Sequence, residues 1–348
     1  MSASSVSIHD SLCDQKQAVS FRLLLGLYGI IPICLILQSL DSWFWQDFLK
    51  ENLPSNPFHF VLFQVLFGTP HIIASNIVLV SNADYLKHFK RHIILMTVAI
   101  AFAYILGNIL LPYRVLFIVV ATWTIHHVLK QQYGVARGLC GLPDWAFKLL
   151  LYLSVMAGVA IYVGIFLRNS LETEHVFWVK NAATVGCLML LVAAVVCQHY
   201  VTTSFGRWFY WSNIFLVITS FYLYQQQHYF MAVLVPRFVH DATAYVFYVT
   251  HDYNKHHRQP QNFIYRYAAR CNLHVFIVLP VISFFLTFLL LAYGDDAVNF
   301  ITRYLLGVEF YKVITLGFLG YLALMHYFME GLTWQKDSPY RKFIAFSK

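Results

Sequence analysis

The stretch Pro236–His257, PRFVHDATAYVFYVTHDYNKHH, decides how this chain is read. It is apolar enough and long enough to cross a bilayer, yet it carries Arg237, His240, Asp241, His251, Asp252, His256 and His257. An ionisable group inside a membrane segment costs several kcal/mol unless it is paired or bound, so such residues mark function by default. This segment is therefore expected to form one wall of an intramembrane metal site.

The surrounding chain agrees with a membrane setting. Of 348 residues, 59% are hydrophobic and 11% charged, whereas a soluble domain carries about 25% charged residues. Apolar runs long enough for a hydrocarbon core of ~30 Å recur without a large soluble insert. The expected fold is all-α: a polytopic transmembrane helix bundle of about ten spans, near 21–40, 58–80, 93–111, 114–133, 147–167, 179–200, 208–229, 232–251, 272–293 and 309–330. The divisions at Pro112 and around YQQQHYF leave a single Pro-broken helix open as an alternative at either place.

With both termini in the cytoplasm, most of the 24 Lys and Arg fall in inside loops. Acidic groups such as Asp41, Asp47 and Glu51 then fall outside, as the positive-inside rule requires. Residues 1–20 read as a polar, disordered tail, 21–331 as one transmembrane domain and 332–348 as a basic cytoplasmic tail. A bacterial inner (cytoplasmic) membrane is the expected location. The net charge of +8 sits in these short loops and reports topology, so nucleic acid is not an expected partner. The six cysteines are scattered, without a CxxC pair, which excludes a thiolate site and a disulfide framework.

Sixteen histidines remain to be placed. By helix rise, His71, His126, His127, His251 and His326 fall in the middle or inner half of spans two, four, eight and ten, where a bundle-core site can form. His126 and His127 are about 100° apart on a helix, so one of them faces a given site. His240 and His251 share a face but stand ~16 Å apart along the axis, so they cannot both bind one ion. His251 with His256 or His257 is the strongest local signal, because an irregular helix end can bring a second imidazole to the first. His240 and Arg237 then read as relay or supporting groups, and Asp241 or Asp252 as the carboxylate that orients a ligand imidazole. His326 and Glu330, four apart, place an imidazole and a carboxylate on one face. His88 and His92 in HFKRH have the same spacing among basic residues, as an ordinary inside loop does.

Several imidazoles with at most two carboxylates suit iron, zinc or copper and not magnesium or calcium. Walker, GxSxG, GxGxxG and HExxH motifs are absent, which excludes the chemistries built on them. GTPHIIASN, with His71, and AYVFYVTHDYNKH, with His251 and His256, resemble segments of the Brp/Blh-type membrane beta-carotene dioxygenases. The chain departs from that pattern in having His251 and His256 five apart instead of four. The resemblance implies non-haem Fe(II), one or two ions, held by histidines, with dioxygen as cosubstrate and a lipophilic polyene substrate. HFKRH and KHH are similar to the histidine boxes of membrane fatty-acid desaturases and hydroxylases, which implies a di-iron enzyme, an acyl chain and an electron-donor partner. The expectation is thus a membrane oxygenase in contact with lipids and a lipophilic small molecule. A proton- or metal-coupled transporter is the competing class.

Overall fold

The computed structural model describes residues 16–56, 60–310 and 312–347. Long helices dominate them: α1 Phe21–Phe44, α2 Val61–Ser81, α3 Ala83–Leu110, α4 Tyr113–Cys140, α5 Asp144–Phe166 and α6 Thr173–Cys197. After these come α7 Ser204–Gln225, α8 Tyr229–His256, the short α9 Phe263–Arg270, α10 Val275–Leu306 and α11 Val313–Thr333. Seven helical segments are long and apolar enough to cross a membrane: α1, α2, α3, α5, α6, α10 and α11. With 28, 22 and 28 residues, α4, α7 and α8 have the length as well. Their polar residues keep them below the hydropathy of the other seven, and two of them carry the histidines discussed below.

The helix boundaries have local causes. Leu111 and Pro112 are extended and part α3 from α4, since proline cannot donate to a continuing helix. At the other uncertain division, Gln227 adopts φ +65° and turns the chain between α7 and α8. Asn262 caps α9, its side chain accepting from the Tyr265 amide. The amphipathic α9 was not among the expected elements; at eight residues it is too short to register as a span.

Buried polar pairs tie neighbouring helices together. Tyr28 of α1 lies 3.0 Å from both Gln132 Oε1 of α4 and Asn213 Oδ1 of α7. Tyr133 and Ser154 join α4 to α5 at 2.8 Å, and the Tyr210 hydroxyl of α7 donates to the Ala194 carbonyl of α6. Small residues bring α5 and α6 close, for a Cβ at Gly186 would stand 3.2 Å from that of Ala157. Outward faces are apolar instead, as with Leu95, Val98, Phe102 and Ile105 of α3, which suits lipid contact.

Residues 1–15 of the expected disordered tail lie outside the described residues. Strand β1, Ala18–Ser20, pairs in parallel with β2, Ala345–Ser347, and Val19 is buried. The C-terminal segment also packs inward, burying Tyr340 and Ile344. Cys34, Cys140, Cys187 and Cys197 are buried thiols, and Cys271 is exposed.

Candidate metal centre

Helices α2, α4, α8 and α11 pack around a common point, and each supplies one buried histidine to it: His71, His127, His240 and His326. These lie ten, fourteen, eleven and thirteen residues into their helices, so ~15–21 Å along each axis from the start. All four therefore stand near mid-helix.

Local sequence shapes the backbone here. Pro70 precedes His71, and α2 enters that point through a π-helical turn at Gln64–Gly68, a geometry frequent at functional sites. A side chain at Gly68 would collide with the Gln64 amide and stand 2.8 Å from Arg237 Nη2, so glycine lets the guanidinium approach α2. In α8, Pro236 removes the amide that would pair with the Ala232 carbonyl, and Ser220 of α7 donates to that carbonyl at 2.6 Å. Arg237, His240 and Asp241 follow within the next turn.

The four imidazoles close a ring. Centroids of His71 and His240 are 5.0 Å apart, His240 and His127 5.1 Å, His127 and His326 4.8 Å, and His326 and His71 5.0 Å, each pair edge-to-face. An ion bonded by a ring nitrogen at ~2.1 Å sits ~3.2 Å from that ring's centroid, and the centre of such a ring of rings is ~3.1–3.5 Å from each centroid for tetrahedral or square arrangements. The cage thus has the dimensions of a transition-metal site. Ligand atoms of His71, His240 and His326 all lie within 4.8 Å of one another, as do those of His127, His326 and Glu330. His326 belongs to both sets.

Unsatisfied nitrogens point the same way. His71 Nε2 and both ring nitrogens of His240 and His326 are buried without a hydrogen-bond partner. His71 Nδ1 lies 3.1 Å from Asp241 Oδ1 and His127 Nε2 lies 3.0 Å from Glu330 Oε2, close contacts that lack hydrogen-bond alignment. Leaving a buried polar group unpaired costs ~1–3 kcal/mol, so this many in one place are compatible with a bound ion. A single ion takes up one nitrogen per ring; a second ion or water has to serve the remaining nitrogens of His240 and His326. Glu330 is held from its other side, its Oε1 accepting from Gln131 Nε2 at 3.1 Å and from the Tyr248 hydroxyl at 3.3 Å. Behind His71, Asp241 faces Arg237 Nε at 3.6 Å. Four imidazoles and one carboxylate suit iron, zinc or copper.

The structure brings together His71, His127, His326 and Glu330, with Asp241 and Arg237 beside them. It adds His240 to the ring itself, where the sequence reading gave it a relay role. His126 is half-buried and turned to Tyr152, its ring centroid 6.3 Å from that ring. His251, His256, His257 and Asp252 are not in the cluster. His251 Nε2 pairs with the Tyr85 hydroxyl at 2.6 Å and its Nδ1 with Asp252 Oδ1 at 2.8 Å, while its ring stacks on Tyr340 at 4.3 Å. Both nitrogens are therefore used within the protein. Asp252 accepts a short hydrogen bond from the Tyr265 hydroxyl, and burial beside that carboxylate pushes the phenol's pKa well up. His256 accepts from the Gln261 amide at 3.2 Å and stacks on Tyr265. His257 lies exposed, its Nδ1 at 2.8 Å from the Tyr253 carbonyl. His88 and His92 are also exposed. Gln131 and Tyr248 escaped the sequence reading; the i, i+4 spacing of His127 and Gln131 was the available signal for the first.

Beside the cluster lies a small, mostly apolar cavity of about 70 Å³, partly open to the surroundings. Phe63 of α2, Leu129 of α4, Ile161 and Ile165 of α5, Val217 of α7 and Val233 of α8 line it, and Arg237 is the charged side chain in its wall. Compared with protein-family models, curated proteins and solved structures, the chain matches none.

Proposed function

We propose that this protein is an integral membrane metalloenzyme, an oxygen-dependent oxidoreductase that uses histidine-bound Fe(II) on a lipophilic polyene or acyl chain. The observation that carries the proposal is the closed ring of His71, His127, His240 and His326, with Glu330 at its edge and buried nitrogens unpaired. The adjoining cavity, small and mostly apolar, supports a substrate whose part nearest the ring is hydrocarbon. The short resemblance of GTPHIIASN to the Brp/Blh-type dioxygenases agrees for His71; its second segment, with His251 and His256, lends no support. An iron ion so held supplies dioxygen binding and activation.

The chain's own groups have separate tasks in this reading. Asp241 orients His71 through Nδ1, leaving Nε2 for the ion. Gln131 and Tyr248 fix Glu330 so that its other oxygen faces His127. The cavity excludes water from the reacting carbon. Ten spans with both termini in the cytoplasm, in a bacterial inner membrane, put the cluster near the bilayer midplane, where a substrate enters sideways from lipid.

The test is oxygen uptake by iron-loaded protein in lipid nanodiscs, supplied in turn with carotenoids and acyl lipids and followed by mass spectrometry of the products. Substrate-dependent uptake matched by an oxygenated or desaturated product, and lost in His326→Ala, is expected. Iron-loaded protein that consumes no oxygen with either class, with or without a reductant, overturns the proposal.

A further inference from the structure

The cavity is not uniformly apolar. Thr124 and Ser220 in its walls spend their hydroxyls on backbone carbonyls; Tyr162, Gln64 and Arg237 are the remaining polar side chains, the last two meeting beside Gly68. Arg237 Nε has no hydrogen-bond partner, and its nearest carboxylate, Asp241, stands 3.6 Å away, too far for a bidentate clamp. A guanidinium carries five donors and stays protonated; Tyr327 also engages this one, and Nε is the nitrogen left unpaired.

Charge counting adds a second argument, and it rests on the metalloenzyme reading above. Arg237, Asp241 and Glu330 contribute one positive and two negative charges, and a divalent ion would bring the sum to one net positive charge. Within a bilayer an unbalanced charge is costly, so a bound anion completes the site. The cavity offers that anion a hydrocarbon channel and a planar donor at its polar end.

We infer that the cavity binds the carboxyl end of a free long-chain fatty acid, with the carboxylate on Arg237 and the chain running outward past α4, α5, α7 and α8 into lipid. This orientation sets the carboxyl end, and not the chain terminus, beside the histidine ring. It also separates the substrate from a neutral polyene, which would leave Arg237 without a ligand.

Equilibrium binding of a radiolabelled fatty acid, its alcohol and its methyl ester to the full chain in neutral phosphatidylcholine nanodiscs tests this. The wild type is expected to prefer the acid at least tenfold. Arg237→Gln should remove that preference while still binding the alcohol, Arg237→Lys should restore part of it, and Gly158→Leu, which fills the cavity wall, should weaken all three. Equal binding of acid, alcohol and ester by the wild type overturns the inference, as does an unchanged preference in Arg237→Gln. Displacement of the acid by nanodiscs containing phosphatidylglycerol would assign the cavity to an anionic phospholipid and also overturn it. Metal content is measured on the same samples. Metal-free protein that keeps the Arg237-dependent preference would sink the oxygenase reading alone, and metal-loaded protein without it would sink the fatty-acid inference alone.

Discussion

Replacing His251 with phenylalanine separates a histidine that staples the fold from one that binds metal. The substitution keeps an aromatic ring to stack on Tyr340, 4.3 Å away, and keeps most of the side-chain volume. It removes the Tyr85 hydroxyl pairing at 2.6 Å and the Asp252 pairing at 2.8 Å. Tyr85 and Asp252 are themselves buried, so the Tyr85 hydroxyl and Asp252 Oδ1 each lose their His251 partner at a cost of ~1–3 kcal/mol, together ~2–6 kcal/mol, while Asp252 Oδ2 keeps Tyr265. At ~2–4 °C per kcal/mol for chains of a few hundred residues, the melting temperature should fall by ~4–24 °C. Metal content per folded chain should not change. Differential scanning fluorimetry in detergent gives the first quantity and elemental analysis of the monodisperse peak gives the second. Loss of metal from folded His251→Phe, with little change in melting temperature, would refute the assignment of His251 to a structural network.

Three further outcomes are expected. Asp241→Asn should weaken metal affinity ~10–100-fold without abolishing the site, because Asp241 would act on a bound ion only through His71; competition with a chelating dye measures this. Stripping metal from the wild type should lower the melting temperature by several degrees, since a ligand at 100 times its Kd contributes ~2.7 kcal/mol, and the same chelator should not shift His326→Ala. Gly164→Ala should destabilise the contact of α5 with α7 by ~1–3 kcal/mol, since the new Cβ would meet Tyr224 Cζ at 2.7 Å; thermal unfolding beside the wild type checks it.

The helical architecture was legible because hydrophobic runs of membrane length dominate the chain, and the helices fall near the expected spans. Breaks at Pro112 and Gln227 were visible only as alternatives, since proline and a polar turn are compatible with either a kink or two helices. The β1–β2 pair joins residues more than 300 positions apart, and three-residue strands leave no periodicity to read. At the site, His71, His326 and Glu330 could be named from depth and spacing. The choice of His127 over His126 depends on which face α4 turns to α8 and α11, a tertiary fact. His240 and His251 share a helical face three turns apart, and sequence spacing does not say at which depth the other helices place their imidazoles. The density of polar residues in HDYNKHH drew the reading to His251; in the folded chain those residues find partners in Tyr85, Tyr265 and Gln261 instead.

His326 is common to both potential ligand triads of the four-histidine cluster; a third such group, Asp41, Asp47 and His228, lies apart from it. Iron, zinc and copper quantified per chain in detergent-purified wild type, beside His326→Ala and His251→Phe, therefore address the central claim most directly. The account predicts near-stoichiometric metal in the wild type and in His251→Phe, and its loss in His326→Ala. Metal-free wild type after purification without chelators, or metal retained in full by His326→Ala, would contradict it.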